Sequence, residues 1–227
     1  MGNSENVIAI DGPAGSGKST TARLVAERLG FMFLDTGAMY RALTLKALRA
    51  GLNVADASEI SSLTSTTNIE LLQESGRLKV LLDREDVTKE IRSTVVSGNV
   101  ANVAAHPAVR EWLVHMQRRL GSGGNVVAEG RDVGTVIFPR ARLKIFLVAS
   151  IEERAKRRHK ELADKHQSED FESLIAKIKE RDALDSSRQV GPLKRADDAL
   201  ELDTTNLTVE QQVDFIVNKW THENNNR

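Results

Sequence analysis

The sequence predicts an α/β fold in which helices cover both faces of a central parallel sheet. Three observations lead to this prediction. The apolar stretch Val7–Asp11 is followed at once by a glycine-rich loop, and the loop is followed by apolar residues at helical spacing. The same alternation of strand and helix returns after residue 30. Strands that alternate with helices form parallel sheets, because each helix carries the chain back to the start of the next strand.

The other elements are predicted from the period of their apolar residues and from their caps. Asp56 with Glu59 and Thr208 with Gln211 form capping boxes, and Pro107 suits the first turn of a helix. We expect strands over residues 31–34, 68–72, 77–83, 86–88, 125–128, 143–149 and 199–203. We expect helices over residues 19–29 and 151–165, through Ala38, Ala42 and Leu45, through Phe171 and Ile178, from Pro107, after Thr208 and, as a short helix, after Asp56. The strands around a Gln-Glu-Ser-Gly turn at residues 73–76 interrupt the alternation, which indicates an inserted subdomain.

The composition excludes several classes of protein. Of the 227 residues, 40% are hydrophobic and 28% are charged, as in globular proteins, so a disordered or fibrous chain is excluded. The absence of cysteine excludes disulfides and thiolate sites, and the five histidines lack the spacing of metal ligands. Basic and acidic residues balance at 32 each, which argues against a nucleic-acid partner. Without a membrane-length apolar stretch or a secretory signal, we expect a cytoplasmic protein with no membrane partner.

Residues 12–19 carry the motif G-x-x-x-x-G-K-[ST] in full. Its glycines let successive backbone N–H groups point at phosphate oxygens beside the positive end of the following helix. We expect Lys18 to reach the β and γ phosphates of a nucleotide and the Ser19 hydroxyl to bind Mg²⁺. The motif lies between a predicted strand and a predicted helix, which is the context that it requires.

A phosphate-binding loop alone leaves the reaction open. A switch GTPase needs Asn-Lys-x-Asp to read guanine, and the nearest match, residues 218–221, lacks the aspartate. An ATPase bound to DNA or RNA is disfavoured by the zero net charge and the 4% aromatic content. A small kinase remains, and it needs a pocket for an acceptor.

Arginines recur where an anionic acceptor would bind. Arg41 follows the second strand, and Arg131 with Asp132 follows a later one, at the carboxyl edge where α/β proteins bind ligands. Arg181 and Arg188 flank Asp185 on one side of a predicted helix. Clustered arginines suit phosphoryl transfer to a phosphate, because two highly charged substrates must be brought together.

Six segments together resemble bacterial cytidylate kinases. They are GPAGSGKST, LDTGAMYRA, AEGRDVGTVIFP, KIFLVAS with EERAKRR, IKERDALDSSR and LELDTTNLTVEQ, and the resemblance extends from about residue 7 to residue 216. The resemblance implies a three-layer P-loop kinase fold with a central parallel sheet, an inserted monophosphate-binding subdomain containing a small antiparallel sheet, and a short helical lid. Residues 1–227 would form one unit, with the core at about 1–50, 120–150 and 190–227, the insertion at about 51–110 and the lid at about 151–170.

The resemblance also implies roles for individual residues. Arg154, Arg157 and Arg158 would belong to the lid. ATP would bind Gly12, Pro13, Ala14, Gly15, Ser16, Gly17, Lys18, Ser19, Thr20 and the lid residue Arg158. CMP would bind Thr36, Tyr40, Arg41, Arg110, Arg131, Asp132, Arg181, Asp185 and Arg188. Arg41 and Arg131 would hold the phosphate, Arg110 and Asp132 would read the cytosine, and Arg181 and Asp185 would hold the ribose. Lys18, Arg131 and Arg188 are assigned to catalysis, and residues 203–206 would lie near the adenine.

Two positions depart from the family's pattern. Glu129 stands where many relatives carry aspartate, and we expect it to hold Mg²⁺ through water. Ala101 falls where relatives place a serine that bonds the base, which removes one expected cytosine contact. The implied reaction is Mg²⁺-dependent transfer from ATP to CMP or dCMP by a monomer. UMP, AMP or shikimate as the acceptor remains an alternative, as does a nucleotide-dependent switch or binding protein.

Overall fold

The structure, a computed structural model, describes residues 6–74, 77–164 and 166–225. The strands in these ranges are β1 (Val7–Asp11), β2 (Met32–Asp35), β3 (Ile69–Glu74), β4 (Arg77–Leu82), β5 (Glu85–Asp86), β6 (Val126–Gly130), β7 (Leu143–Val148) and β8 (Leu200–Asp203). The helices are α1 (Lys18–Leu29), α2 (Thr36–Arg49), α3 (Ala57–Leu63), α4 (Thr94–Ala105), α5 (Pro107–Leu120), α6 (Ile151–Ala163), α7 (Phe171–Ser187) and α8 (Val209–Asn225).

Five strands form one parallel sheet in the order β2-β6-β1-β7-β8. The central strand β1 is buried along its whole length, which explains its unbroken apolar sequence up to Asp11. The register pairs Asp11 with Gly130 on β6, and it pairs Asp35 on β2 with Glu129. Because all five strands run in the same direction, their carboxyl ends meet at one edge, and the segments after them can converge there.

Helices cover both faces of this sheet. On one face, α1 and α8 contribute Val25, Val213 and Ile216 to a core with Ile8 and Ile10 of β1. The other face carries a larger core built from α2, α4 and α5, which also takes in Val80 of β4. The three-layer α/β arrangement expected from the sequence is therefore confirmed.

The three strands β3, β4 and β5 form a separate antiparallel sheet, as the hairpin pattern predicts. Residues 75 and 76 of the predicted turn lie outside the described residues. The third strand was expected over residues 86–88 but lies at Glu85–Asp86. It ends there because the Thr88 side-chain hydroxyl accepts the Val80 backbone N–H at 2.9 Å, in place of the backbone partner that a longer strand would supply.

Two elements of the main fold were not predicted: the helix α4 and a turn after β6. In that turn, residues Val133–Ile137 form a single turn of π-helix, whose first two N–H groups donate to Asp11. Its wide turn has no apolar period by which a sequence would reveal it. Among the helices of the described ranges, none combines the length and the apolar character that crossing a membrane requires.

Candidate active site

The loop between β1 and α1 forms a backbone cradle that requires its glycines. A Cβ atom on Gly12 would come within 2.3 Å of the Leu147 carbonyl oxygen, so a larger residue would force the loop off β7. Gly15 and Gly17 have φ angles of 77° and 91°, which side chains disfavour. Gly17 directly precedes α1, and the first N–H groups of that helix therefore point into the loop. A cradle of this kind fits a phosphate group.

Lys18 is buried under this loop and its Nζ donates to the Pro13 carbonyl oxygen at 2.9 Å. Burial and the Arg131 charge lower the pKa of Lys18 to about 7, and the Glu129 charge opposes this shift. The lysine of the glycine loop therefore lies within the electrostatic reach of a residue that the sequence assigned to the acceptor. A phosphate beside Lys18 would favour its charged form.

Ser19 and two carboxylates supply oxygen ligands next to the loop. Ser19 Oγ donates to Glu129 Oε1 at 2.7 Å, and the neighbouring Asp35 carboxyl group lies close enough to Glu129 for a hydrogen bond. Burial and the Asp35 charge raise the pKa of Glu129. These are hard oxygen donors, which fit Mg²⁺. The described ranges contain no group of three or more His, Cys, Asp or Glu side chains arranged for a metal, so an ion here would need ligands from water and phosphate as well.

Asp35 also joins two arginines. Its Oδ2 accepts from Arg41 Nη2 at 3.2 Å and from Arg92 Nη2 at 3.0 Å, while its Oδ1 caps α2 by accepting from the Ala38 N–H. Burial would raise the pKa of Asp35, but Arg41 and Arg92 outweigh it and hold the pKa below its ordinary value. Arg92 comes from the segment between β5 and α4, and the sequence analysis did not assign it to the site.

A second group of arginines surrounds Asp185 of α7. Arg131 Nε donates to Asp185 Oδ2 at 2.7 Å, and Arg188 Nη2 lies 3.4 Å from Asp185 Oδ1. Arg181 is one turn earlier on the same helix, and burial together with the Arg131 charge lowers its pKa to about 10. Burial would raise the pKa of Asp185, yet the arginines hold it low. The structure thus brings together the four residues Arg131, Arg181, Asp185 and Arg188 that the sequence assigned to the acceptor.

Arg110 and Asp132 form a buried ion pair between Arg110 Nη2 and Asp132 Oδ2. Arg110 of α5 also lies over the Tyr40 ring, 5.5 Å from its centroid. Burial raises the pKa of Asp132, and the Arg110 charge opposes this rise. Burial also raises the pKa of Tyr40 to about 12, so its hydroxyl stays neutral. Tyr40, Arg110 and Asp132 therefore form one buried polar cluster, reached from three different elements.

The arginines of α6 differ in what they contact. Arg154 Nη1 donates to the Ala14 carbonyl at 3.3 Å and pairs with Asp182 of α7. Arg157 Nη2 donates to the Thr204 carbonyl at 2.6 Å, and Thr204 Oγ1 donates to the Ser16 carbonyl at 3.0 Å. These contacts connect the glycine loop to α6 and to the segment after β8.

Three further predicted site residues are Arg158, Thr20 and Thr36. Arg158 pairs with Glu161 of the same helix, and its role at ATP stays a prediction. Thr20 is exposed on α1. Thr36 donates its hydroxyl to the Glu129 backbone carbonyl at 2.7 Å. Ala101 is half-buried on α4.

Asp11 and Arg92 belong to the site's framework but were not found from the sequence. Asp11 Oδ1 and Oδ2 accept from the N–H groups of Val133 and Gly134 at 2.8 and 2.7 Å, and so fix the turn that follows Arg131 and Asp132. A carboxylate directly before a glycine loop was the available indication for Asp11. Arg92 lies 57 residues from its partner Asp35, and no local pattern connects them.

A phosphate-binding loop beside an arginine cluster, both at the carboxyl edge of one parallel sheet, is the arrangement of a P-loop kinase. The sequence matches the family model for cytidylate kinase over residues 8–222. The chain belongs to the cytidylate kinase family, as the motifs indicated. Its class is that of the nucleoside monophosphate kinases, which are phosphotransferases.

Individual relatives agree with this membership. The cytidylate kinase of Pelotomaculum thermopropionicum is 53% identical over 211 residues, which cover 92% of this chain and 93% of the relative. The cytidylate kinase of Bacillus pumilus is 51% identical, with 90% and 91% covered. That of Bacillus subtilis is 47% identical, with 92% and 94% covered. Among solved structures, an uncharacterized protein from Eubacterium ventriosum superposes with a TM-score of 0.51 at 11% identity, covering 96% of this chain and 99% of that one, and this likeness concerns the fold alone.

Proposed function

We propose that this chain transfers the γ-phosphoryl group of ATP to CMP or dCMP, giving ADP and CDP or dCDP. One observation carries the proposal. The buried Arg110–Asp132 pair lies next to a cluster of arginines at the sheet edge where the glycine loop begins. The arrangement supports a ligand that has a polar base at one end and a phosphate at the other, held facing a second nucleotide.

The donor nucleotide binds the glycine loop and the first turn of α1. The backbone of residues 12–20 holds the phosphates, and Lys18 neutralises charge on the β and γ groups. Arg154 and Arg157 support this side, since both donate to carbonyl groups of the loop. Arg158 is the lid residue proposed to bind ATP, and to do so it would have to exchange its partner Glu161 for the nucleotide.

The acceptor phosphate binds Arg41 and Arg131, joined by Arg92. Arg41 and Arg92 both pair with the Asp35 carboxylate, which holds the two guanidinium groups close together. Guanidinium groups can bind the oxygens of a phosphate dianion in pairs.

The ribose lies against Arg181 and Asp185, and Arg188 reaches towards the phosphoryl group in transfer. Asp185 already accepts from Arg131 and lies close to Arg188, so the sugar and phosphate contacts form one continuous network. Because Arg188 lies at the end of α7, its guanidinium group can contact the phosphates of both substrates.

Arg110 and Asp132 read the base. An ionised Asp132 accepts a hydrogen bond from the amino group at position 4 of cytosine, and it would repel the carbonyl oxygen that uracil carries there. Arg110 donates to the ring carbonyl and nitrogen. Discrimination of this kind is strong, because the wrong base leaves a buried charge without a partner.

The chemistry requires positioning and charge neutralisation rather than a general base. The attacking oxygen belongs to a phosphate that is already ionised at neutral pH, and the arginines hold it in line with the donor. Ser19 and, through water, Glu129 would hold Mg²⁺, which supplies further neutralisation of the phosphate charges when it is bound. We propose that a monomer is active, in the cytoplasm.

The test is an assay of ADP release with ATP and a panel of acceptors: CMP, dCMP, UMP, AMP and shikimate. We expect CMP and dCMP to be the best acceptors and the rate to require Mg²⁺. Fast transfer to another member of the panel would replace the proposed acceptor. ATP binding without transfer to any acceptor would show a nucleotide-binding protein instead of a kinase.

A further inference from the structure

The segment that follows α7 turns back over the base-reading pair at Gly191. Leu193 N donates to the Asp185 carbonyl at 2.8 Å, which holds this segment against the end of α7. Gly191 has a φ angle of 59° and precedes a proline, and both conditions disfavour residues with a Cβ atom. Gly191 is buried, while its neighbour Val190 is 42% exposed. Gly191 is thus the inward-facing residue of the turn.

The backbone of Gly191 lies directly against the ion pair. A Cβ atom added to it would lie 2.1 Å from Arg110 Nη2 and 2.3 Å from Asp132 Oδ2. These are the two atoms that form the pair. Real Cβ atoms do not approach other atoms this closely, so a side chain at 191 would push the segment away or separate the two charged groups.

The contact also explains how a pair of charged groups stays dry. The Arg110 side chain is 1% exposed and that of Asp132 is 6% exposed. With the segment in contact, the pair keeps a low-dielectric environment, in which an unpaired charge is costly. A base that leaves one of these charges unpaired is therefore strongly disfavoured. With the segment displaced, water would reach the pair and weaken that choice.

We propose that Gly191 is a specificity-determining residue, because its lack of a side chain allows the segment after α7 to seal the Arg110–Asp132 pair. This inference rests on the proposed function, in which that pair reads cytosine. It assigns the choice of base in part to a backbone contact in addition to the two charged side chains.

The test compares Gly191→Ala with Gly30→Ala. Gly30 has a similar φ angle of 67°, but a Cβ atom there would meet nothing within 4 Å, so the control carries the strain of a positive φ without the contact and without a following proline. We expect Gly191→Ala to raise KM for CMP at least tenfold, to leave KM for ATP within about twofold, and to lower the preference for CMP over UMP at least tenfold. Gly30→Ala should leave all three values near those of the wild type.

Equal effects of the two variants on KM and on base preference would overturn the inference. So would a loss in Gly191→Ala that affects ATP and CMP alike. If Gly191→Ala does not fold, it is added to the double variant Arg110→Ala/Asp132→Ala, which removes both clashing side chains and leaves no unpaired charge. A triple variant as stable as the double variant supports the contact, and a triple variant that unfolds where the double variant folds contradicts it. A wild-type enzyme that does not prefer CMP would refute the proposed function itself, which is a separate result.

Discussion

At the scale of single residues, Asp35 shows how one buried carboxylate organises several others. It caps α2, pairs with Arg41 and Arg92, and adjoins Glu129, which in turn accepts from Ser19. Each of these contacts holds a residue that the proposed reaction uses. The arginines are therefore held in place before any substrate arrives, which reduces the cost of ordering them on binding.

Arg92 gives the most direct test of this arrangement. If its guanidinium binds the acceptor phosphate, Arg92→Ala should weaken CMP binding about tenfold or more and leave the binding of cytidine, which lacks the phosphate, unchanged. Binding is measured by titration calorimetry for CMP and by competition for cytidine. Arg49→Ala is the matched control, because Arg49 bonds Glu85 and Glu90 of the same segment but lies outside the site. Equal weakening of CMP and cytidine by Arg92→Ala would reduce Arg92 to a structural role.

Lys18 predicts a pH dependence of ATP binding. In the free protein its pKa is lowered to about 7, so at pH 8 it is largely neutral, and a bound triphosphate should return it to the charged form. ATP binding at pH 8 should then take up a proton and weaken as the pH rises from 7 to 9. Calorimetry in two buffers of different ionisation enthalpy measures this uptake. Lys18→Arg stays charged throughout and should show none; wild-type heats that do not depend on the buffer would contradict the prediction.

Asp132 predicts the choice of base. Asp132→Ala should lose most of the preference for CMP over UMP, measured as the ratio of kcat/KM values, because the repulsion of the uracil carbonyl disappears. Asp182→Ala serves as a control, since Asp182 pairs with Arg154 instead of facing the Arg110 cluster. A ratio that stays unchanged in Asp132→Ala would place base recognition elsewhere.

The sequence predicted most of these residues but not their partners. Arg41, Arg131 and Lys18 could be predicted because each stands in a motif or after a predicted strand, whereas Arg110 was assigned only from the family resemblance. The partners of Arg92 and of Gly191 were not accessible, since they depend on contacts between segments far apart in the chain. The pairing of Arg110 with Asp132 followed from a shared role in the family resemblance, and the structure adds that the pair is buried.

At the scale of elements, α6 shows why a run of arginines cannot be assigned from sequence alone. Arg154, Arg157 and Arg158 are nearly adjacent in the chain, but the helix turns them to different surroundings. Arg154 and Arg157 contact the glycine loop, and Arg158 pairs with Glu161. Only the packing of α6 against neighbouring segments separates them.

We therefore expect Arg157→Ala to lower kcat about tenfold with little change in CMP affinity, because it loses charged hydrogen bonds that hold Thr204 and the loop. Arg158→Ala, on the same helix, should change kcat less than Arg157→Ala. Steady-state kinetics at saturating ATP measure both. A larger loss in Arg158→Ala would instead indicate that α6 moves and brings Arg158 to ATP.

The strands and helices of the main sheet were predictable because their apolar periods are regular. The single π-helical turn at Val133–Ile137 was not predictable, since two of its N–H groups donate to Asp11, which lies on a different strand. The short β5 was misplaced because a side-chain hydroxyl of Thr88 replaced a backbone partner. Both departures arise from side-chain to backbone hydrogen bonds, which compete with regular structure and leave little trace in a hydropathy pattern.

At the scale of the whole molecule, the charge is balanced in number but uneven in position. The formal net charge is zero, yet Arg41, Arg92, Arg131, Arg181 and Arg188 converge on the region around Asp35 and Asp185. A neutral composition therefore conceals a local excess of positive charge, which attracts anionic nucleotides over a distance comparable to the screening length of the solution. Composition argued against nucleic-acid binding, but it could not reveal where the charges gather.

Asp11 connects the end of the central strand to both proposed substrate sites. Gly12, the residue after Asp11, begins the glycine loop that is proposed to bind ATP. The two Asp11 carboxylate oxygens hold the turn that follows Arg131 and Asp132, which are proposed to bind the acceptor. Any shift of this strand end on binding of one proposed substrate would therefore be transmitted to the other site. By linkage, the donor would then change the free energy of binding of the acceptor by the same amount as the acceptor changes that of the donor. Coupling by this route would depend on one side chain and two peptide groups.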